Sequence, residues 1–176
     1  LRAAEAQNVR LDVRALEKKI MGLGSPKFDK VLNTRVEDLS IPKEWMKVIQ
    51  KPNGSRKKVI FYNTTISAVL KNDTALSKME KVLNTFKEYK DEIALLWRPH
   101  PLLESTMASM RPQLLEKYQE LRNKYIREGW GIYDDTADMD RALVLSDGYY
   151  GDGGSLVHLY MQMDKLIMLA NYREMR

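Results

Sequence analysis

Cysteine is absent from this chain of 176 residues, and histidine occurs only twice. The first absence removes disulfide frameworks and thiolate metal centres. Together they leave no basis for a zinc site, so no metal is expected. No apolar run approaches the roughly 20 residues needed to cross a bilayer as a helix. The first twenty residues are charged throughout and lack the apolar core of a cleaved signal peptide. Dense Lys/Arg runs interleaved with aromatics are also missing, and no nucleic-acid partner is expected. No internal repeat or low-complexity stretch stands out.

What is present fits a globular protein with one substantial core: 44% hydrophobic and 30% charged residues. The formal charge is +5, which suits an anionic partner such as a nucleotide, a phosphorylated polymer or an acidic membrane surface. The chain starts Leu1-Arg2 rather than with methionine, and is expected to be part of a longer protein.

Apolar runs alternate with helical stripes. VIFY at 59–62 follows a basic turn and reads as a buried strand, as does IALLW at 93–97. WGIY at 130–133, ALVL at 142–145 and KLIML at 165–169 read the same way. Between them Leu76, Met79, Leu83 and Phe86 recur at helical spacing. Leu114, Tyr118, Leu121 and Tyr125 form a second stripe, opened by Pro112 and closed by Gly129. Strands without polar alternation, separated by helices, predict an α/β fold: a Rossmann-like, doubly wound, mostly parallel sheet covered on both faces. Residues 1–24 read as a connecting segment, and residues 25–176 as the folded domain. The stretch around Trp45 and Ile49, between Pro42 and Pro52, reads as an edge region rather than a second core.

In such sheets ligands bind outside the carboxyl ends of the strands. The polar residues after each expected strand are therefore the candidates: Asn63-Thr64-Thr65, Arg98-Pro99-His100, Asp134-Asp135, Ser146-Asp147 and Asp152 to Ser155. Gly151-Asp152-Gly153-Gly154-Ser155 opens a helix, where bare backbone amides and the helix dipole suit a phosphate. The turn is not G-x-G-x-x-G and has no acidic residue at dinucleotide spacing, which disfavours NAD. Arg98 offers a planar fork for phosphate oxygens. His100 can donate a hydrogen bond or act as acid or base near neutral pH. Asp134, Asp135, Asp138 and Asp140 read as a solvated acidic loop.

These same residues resemble the CDP-glycerol glycerophosphotransferases, enzymes of teichoic-acid and related cell-envelope polymer synthesis. Gly24-Ser25-Pro26-Lys27-Phe28-Asp29 is similar to the family's G-x-P-R-x-D block, with lysine for arginine. Residues 59–65 resemble its first strand and polar turn, and Arg98-Pro99-His100-Pro101 its R-x-H-P block. Ser146-Asp147 through Ser155 resembles S-D-x-x-x-x-D-x-S-S, and residues 165–168 the strand written G-K-P-V. The likeness spans residues 20–170, with Gly153 and Gly154 where the family has an aromatic and a serine.

The resemblance implies the carboxy-terminal half of a GT-B fold, holding a CDP-linked donor while an amino-terminal half presents the acceptor. His100 is then the catalytic candidate. Arg98, Ser155 and the amides of Gly153 and Gly154 bind the donor's phosphates, with Asn63 and Thr64 beside them. Asp147 and Asp152 order the loops, and no cofactor or metal is required. The location implied is cytoplasmic, with docking on the inner face of the cell membrane permitted by the basic surface. A sugar-nucleotide glycosyltransferase domain and a noncatalytic nucleotide-binding module remain alternatives.

Overall fold

The computed structural model describes residues 26–170; the expected connecting segment at 1–24 lies outside them. Two helices, α1 (Pro26–Asn33) and α2 (Lys43–Ile49), precede the sheet. Strand β1 (Lys58–Thr64) leads through α3 (Ile66–Lys71) and α4 (Ala75–Glu88) to β2 (Ile93–Pro99). Next come α5 (Leu103–Met110), α6 (Pro112–Glu128) and the short β3 (Ile132–Tyr133). Helix α7 (Met139–Leu145), β4 (Gly148–Gly151), α8 (Ser155–Gln162) and β5 (Leu166–Leu169) complete the order.

The five strands form one all-parallel sheet in the order β3-β2-β1-β4-β5. Side chains of a strand point alternately to the two faces, and both faces of the central strands are apolar. Val59, Phe61, Ala94 and Leu96 join one core cluster, with Trp45, Leu143 and Tyr160. Ile60, Tyr62, Leu95 and Trp97 join the other, with Met79, Met107, Tyr118 and Tyr125. Helices α3 to α6 supply the second cluster, and α1, α2, α7 and α8 the first. The change of face coincides with the change of direction at β1, as right-handed crossovers require. This is the Rossmann-like, doubly wound arrangement, and its switch point lies between β1 and β4.

Local chemistry explains several boundaries. Pro112 stands at the first turn of α6, and Gly129 closes that helix with φ 62°, a left-handed conformation that costs glycine little. The Thr65 side chain caps α3 by accepting from Ala68 N, and Asp138 caps α7 by accepting from Arg141 N.

Three expectations need correction. ALVL at 142–145 is the end of helix α7, not a strand. Four consecutive apolar residues do not distinguish a strand from a helix buried on all sides, and all four are buried here. The strand is Gly148–Gly151, whose glycines let β4 pack tightly: a Cβ on Gly148 would press on Leu166 at 3.2 Å. The strand at 165–169 is not buried either; β5 is an edge strand with Leu166 and Leu169 61% and 57% exposed. Finally, the region around Trp45 belongs to the core, since Val31, Trp45 and Ile49 are buried in the first cluster.

Candidate functional site

The carboxyl ends of the strands are joined into one continuous rim. His100 N donates to Thr64 O at 3.0 Å, linking the ends of β2 and β1. Asp134 N donates to Trp97 O at 3.0 Å, linking β3 to β2. Thr65 donates its backbone N–H and its hydroxyl to Asp152 Oδ2 at 2.9 and 2.6 Å, which closes the rim across the switch point.

Thr65, Arg98, His100, Asp134 and the Asp152 to Ser155 turn therefore share this edge. Asp147 does not. It precedes β4, so it lies at the amino end of the sheet, where Asp147 N donates to Val59 O and Oδ2 accepts from Val59 N, both at 2.7 Å. Arg56 and Lys58 pair with the same carboxylate at 3.3 and 3.6 Å. Misreading α7 as a strand put Ser146-Asp147 at the wrong edge. Ser146 is buried, sharing a hydrogen bond of 2.5 Å with Tyr160.

Arg98 is not a free phosphate fork. Its side chain is 9% exposed, and Nη1 donates to the fully buried Asp134 at 2.5 Å. Its Nη2 donates to Thr136 O at 2.7 Å. Asp134 Oδ1 in turn accepts from Thr136 N and Thr136 Oγ1, so one buried ion pair ties the β3–α7 loop to β2. The acidic run is thus split, with Asp134 internal and Asp135 exposed. Asn63 and Thr64 are also buried, and Thr64 Oγ1 accepts the Trp97 indole N–H at 3.3 Å. The residue that reaches the rim is the next one, Thr65.

His100 is exposed, and its Nδ1 accepts from Leu102 N at 3.2 Å. Accepting at Nδ1 places the neutral ring's proton on Nε2, where it can be donated to a ligand. Beneath it lies a cavity of about 650 Å³ between the ends of β2 and β3 and helices α5 and α6. Glu104, Tyr118, Arg122, Tyr133 and Asp135 contribute to its lining. Burial pushes the Tyr118 and Tyr133 hydroxyls up, so both phenols stay protonated donors at neutral pH.

The glycine turn divides into two parts. Gly151 has φ 154°, and a Cβ there would collide with the Asn63 backbone oxygen, so packing demands glycine. Packing demands none at the next two. A Cβ on Gly153 would meet nothing within 4 Å, and one on Gly154 would touch only Thr65 Cγ2 at 3.8 Å. Gly154 is the N-cap of α8 and offers no side chain to cap it. The helix thus opens toward the rim with uncapped amides, an arrangement suited to an anion. The Gly154 amide itself is not among them, because it donates to Asp152 O at 2.8 Å. Ser155, exposed at the first turn, supplies the nearest hydroxyl.

Asp152 is 9% exposed, and its Oδ1 has no hydrogen-bond partner among the described residues. Burial pushes its carboxyl above the ordinary range, against the lowering effect of the two Thr65 bonds. With Oδ2 on the Thr65 amide, Asp152 fills the anion position at the start of α3. The start of α8 is left open.

Among the described residues no group of three or more His, Asp or Glu is placed to hold a metal ion, and no helix is long and apolar enough to cross a membrane. The fold defines an α/β protein of the Rossmann-like, doubly wound class. No family model, curated protein or solved structure matches the chain.

Thr65 and Asp134 stood among the strand-end candidates without an assigned role, and the residues that sequence reasoning missed are Thr136, Glu104 and Arg122. Asp134 carried a usable signal, since it directly follows the apolar pair Ile132-Tyr133. Glu104 and Arg122 carried none, because only the packing of α5 on α6 brings them together.

Proposed function

We propose that this chain is the nucleotide-donor-binding domain of a transferase that moves glycerol phosphate from CDP-glycerol to a cell-envelope polymer. One observation carries the nucleotide part: the uncapped start of α8 behind Gly153 and Gly154 shares a rim with the cavity beneath His100. From β3 to β4 that rim spans three strand spacings, about 14 Å. An extended nucleoside diphosphate fits this span, with its base in the cavity and its phosphates at α8. The identity of the donor and the cell-envelope role rest on the resemblance of the four sequence blocks.

In this reading the amides and hydroxyl at the start of α8 hold the phosphate bearing glycerol. An acceptor hydroxyl attacks that phosphorus, the P–O–P bridge opens, and CMP leaves. The neutral His100 ring donates a hydrogen bond from Nε2 to the bridging oxygen as negative charge develops there, and the proton released by the acceptor hydroxyl passes to the departing CMP phosphate. Arg98 contributes through position: paired with Asp134, it holds the β3–α7 loop that forms one side of the cavity. The acceptor comes from a separate amino-terminal half, so this chain alone binds donor without turning it over. Bringing both substrates together in one closed cleft supplies the proximity the reaction needs.

Calorimetry with CDP-glycerol tests this. Binding is expected for the unaltered protein and loss of at least about tenfold in Gly153→Glu, where the added carboxylate has open space but opposes the anion. No binding by the unaltered protein, or equal binding by the variant, refutes the proposal.

A further inference from the structure

One wall of the cavity holds a charged pair that the donor-phosphate reading leaves unused. Glu104, in the first turn of α5, accepts from Arg122 Nη1 through Oε1, while Arg122 Nε and Nη2 donate to Asn123 Oδ1 at 3.2 and 3.0 Å. Both side chains keep access to the cavity, 33% and 25% exposed for Glu104 and Arg122. Glu104 Oε2 makes no hydrogen bond among the described residues. The Tyr118 and Tyr133 hydroxyls lie close to each other and sense both charges. Tyr133 is held by an edge-to-face contact with Trp97 at 5.4 Å. A fixed aromatic ring beside an acceptor and a donor in one wall suits a planar ligand with its own donor and acceptor side by side.

We infer that Glu104 and Arg122 read the edge of an aminated nucleobase, and so select the donor by its base. Glu104 Oε2 accepts from the exocyclic amino group, and the Arg122 guanidinium donates to the adjacent ring nitrogen. Cytosine presents this pair, whereas a base with a carbonyl in place of the amino group turns an acceptor toward the carboxylate. A ligand that leaves a polar site unpaired is rejected more strongly than one that merely fits loosely. The inference rests on the nucleotide reading above but concerns residues outside the phosphate turn.

Calorimetry of the whole 176-residue protein with CDP and UDP separates the two ideas. The unaltered protein should bind CDP at least about tenfold more tightly than UDP. In Glu104→Gln the ratio should fall to within about threefold, because the amide can turn its NH2 toward the uracil carbonyl. Gly153→Glu should instead weaken both nucleotides together and leave their ratio unchanged. Should Glu104→Gln melt early, Glu104→Asp, which withdraws the carboxylate by one methylene, is expected to lower the ratio likewise. Equal affinity for CDP and UDP in the unaltered protein overturns base reading while nucleotide binding stands. A ratio that survives intact in a folded Glu104 variant does the same. Absence of binding to either nucleotide overturns both.

Discussion

Asp147 and Asp152 stand at the two ends of β4, separated by the four residues of that strand. At the amino end Asp147 is fully engaged: it binds the Val59 amide and faces Arg56 and Lys58. At the carboxyl end Asp152 binds Thr65 through one oxygen, and the other, in a buried setting, has no partner among the described residues. The same side chain thus locks a basic hairpin onto the sheet at one edge and sits as an unsatisfied carboxyl at the other. Unmet polar capacity, open glycines and an uncapped helix all collect at the carboxyl edge. The amino edge is spent on structure.

Arg98 offers the sharpest way to break that contrast, because it lies at the carboxyl edge yet is used structurally. Arg98→Ala removes one partner of a buried ion pair and leaves Asp134 uncompensated, which should cost about 3–5 kcal/mol in urea unfolding. A variant as stable as the parent would mean that the guanidinium is free for a ligand.

Asp147→Ala should cost about 2 kcal/mol, the value of a hydrogen bond to a charged group, and leave nucleotide affinity unchanged. Altered affinity with intact stability would place function at the amino edge instead.

Asp152→Asn should change stability at neutral pH by less than about 1 kcal/mol, since an amide oxygen can still accept from Thr65. Its signature is in the pH profile. The folded carboxyl holds its proton to a higher pH than the unfolded one, because burial disfavours the charge. The contribution of Asp152 is therefore fully present below the ordinary carboxylate pKa of 3.8 and is lost as pH rises through the raised folded value. Thermal melts across that window should show a flatter profile for the variant, and an identical profile would remove Asp152 from the contrast.

Much of the fold was legible because it depends on periodicity. The runs at 59–62 and 93–97 are strands buried on both faces, as continuous apolar runs bounded by turn residues suggested. Pro112 and Gly129 marked the ends of α6 through their own backbone preferences. The run at 142–145 misled because periodicity cannot assign four residues, and the strand that follows contains two glycines and two tyrosines rather than an aliphatic run.

By itself the sequence determined the alternation of strands and helices, the parallel sheet that follows from it, and the set of polar residues near strand ends. Those features come from local backbone preference and apolar spacing, which act within a few residues. Which polar residues are free was decided only by tertiary structure. Arg98 met Asp134, 36 residues on; Thr65 met Asp152, 87 residues on; Glu104 met Arg122 across two packed helices. A charge is neutralised by whatever the fold brings within hydrogen-bond reach, and in this protein the partners come from different strands and helices.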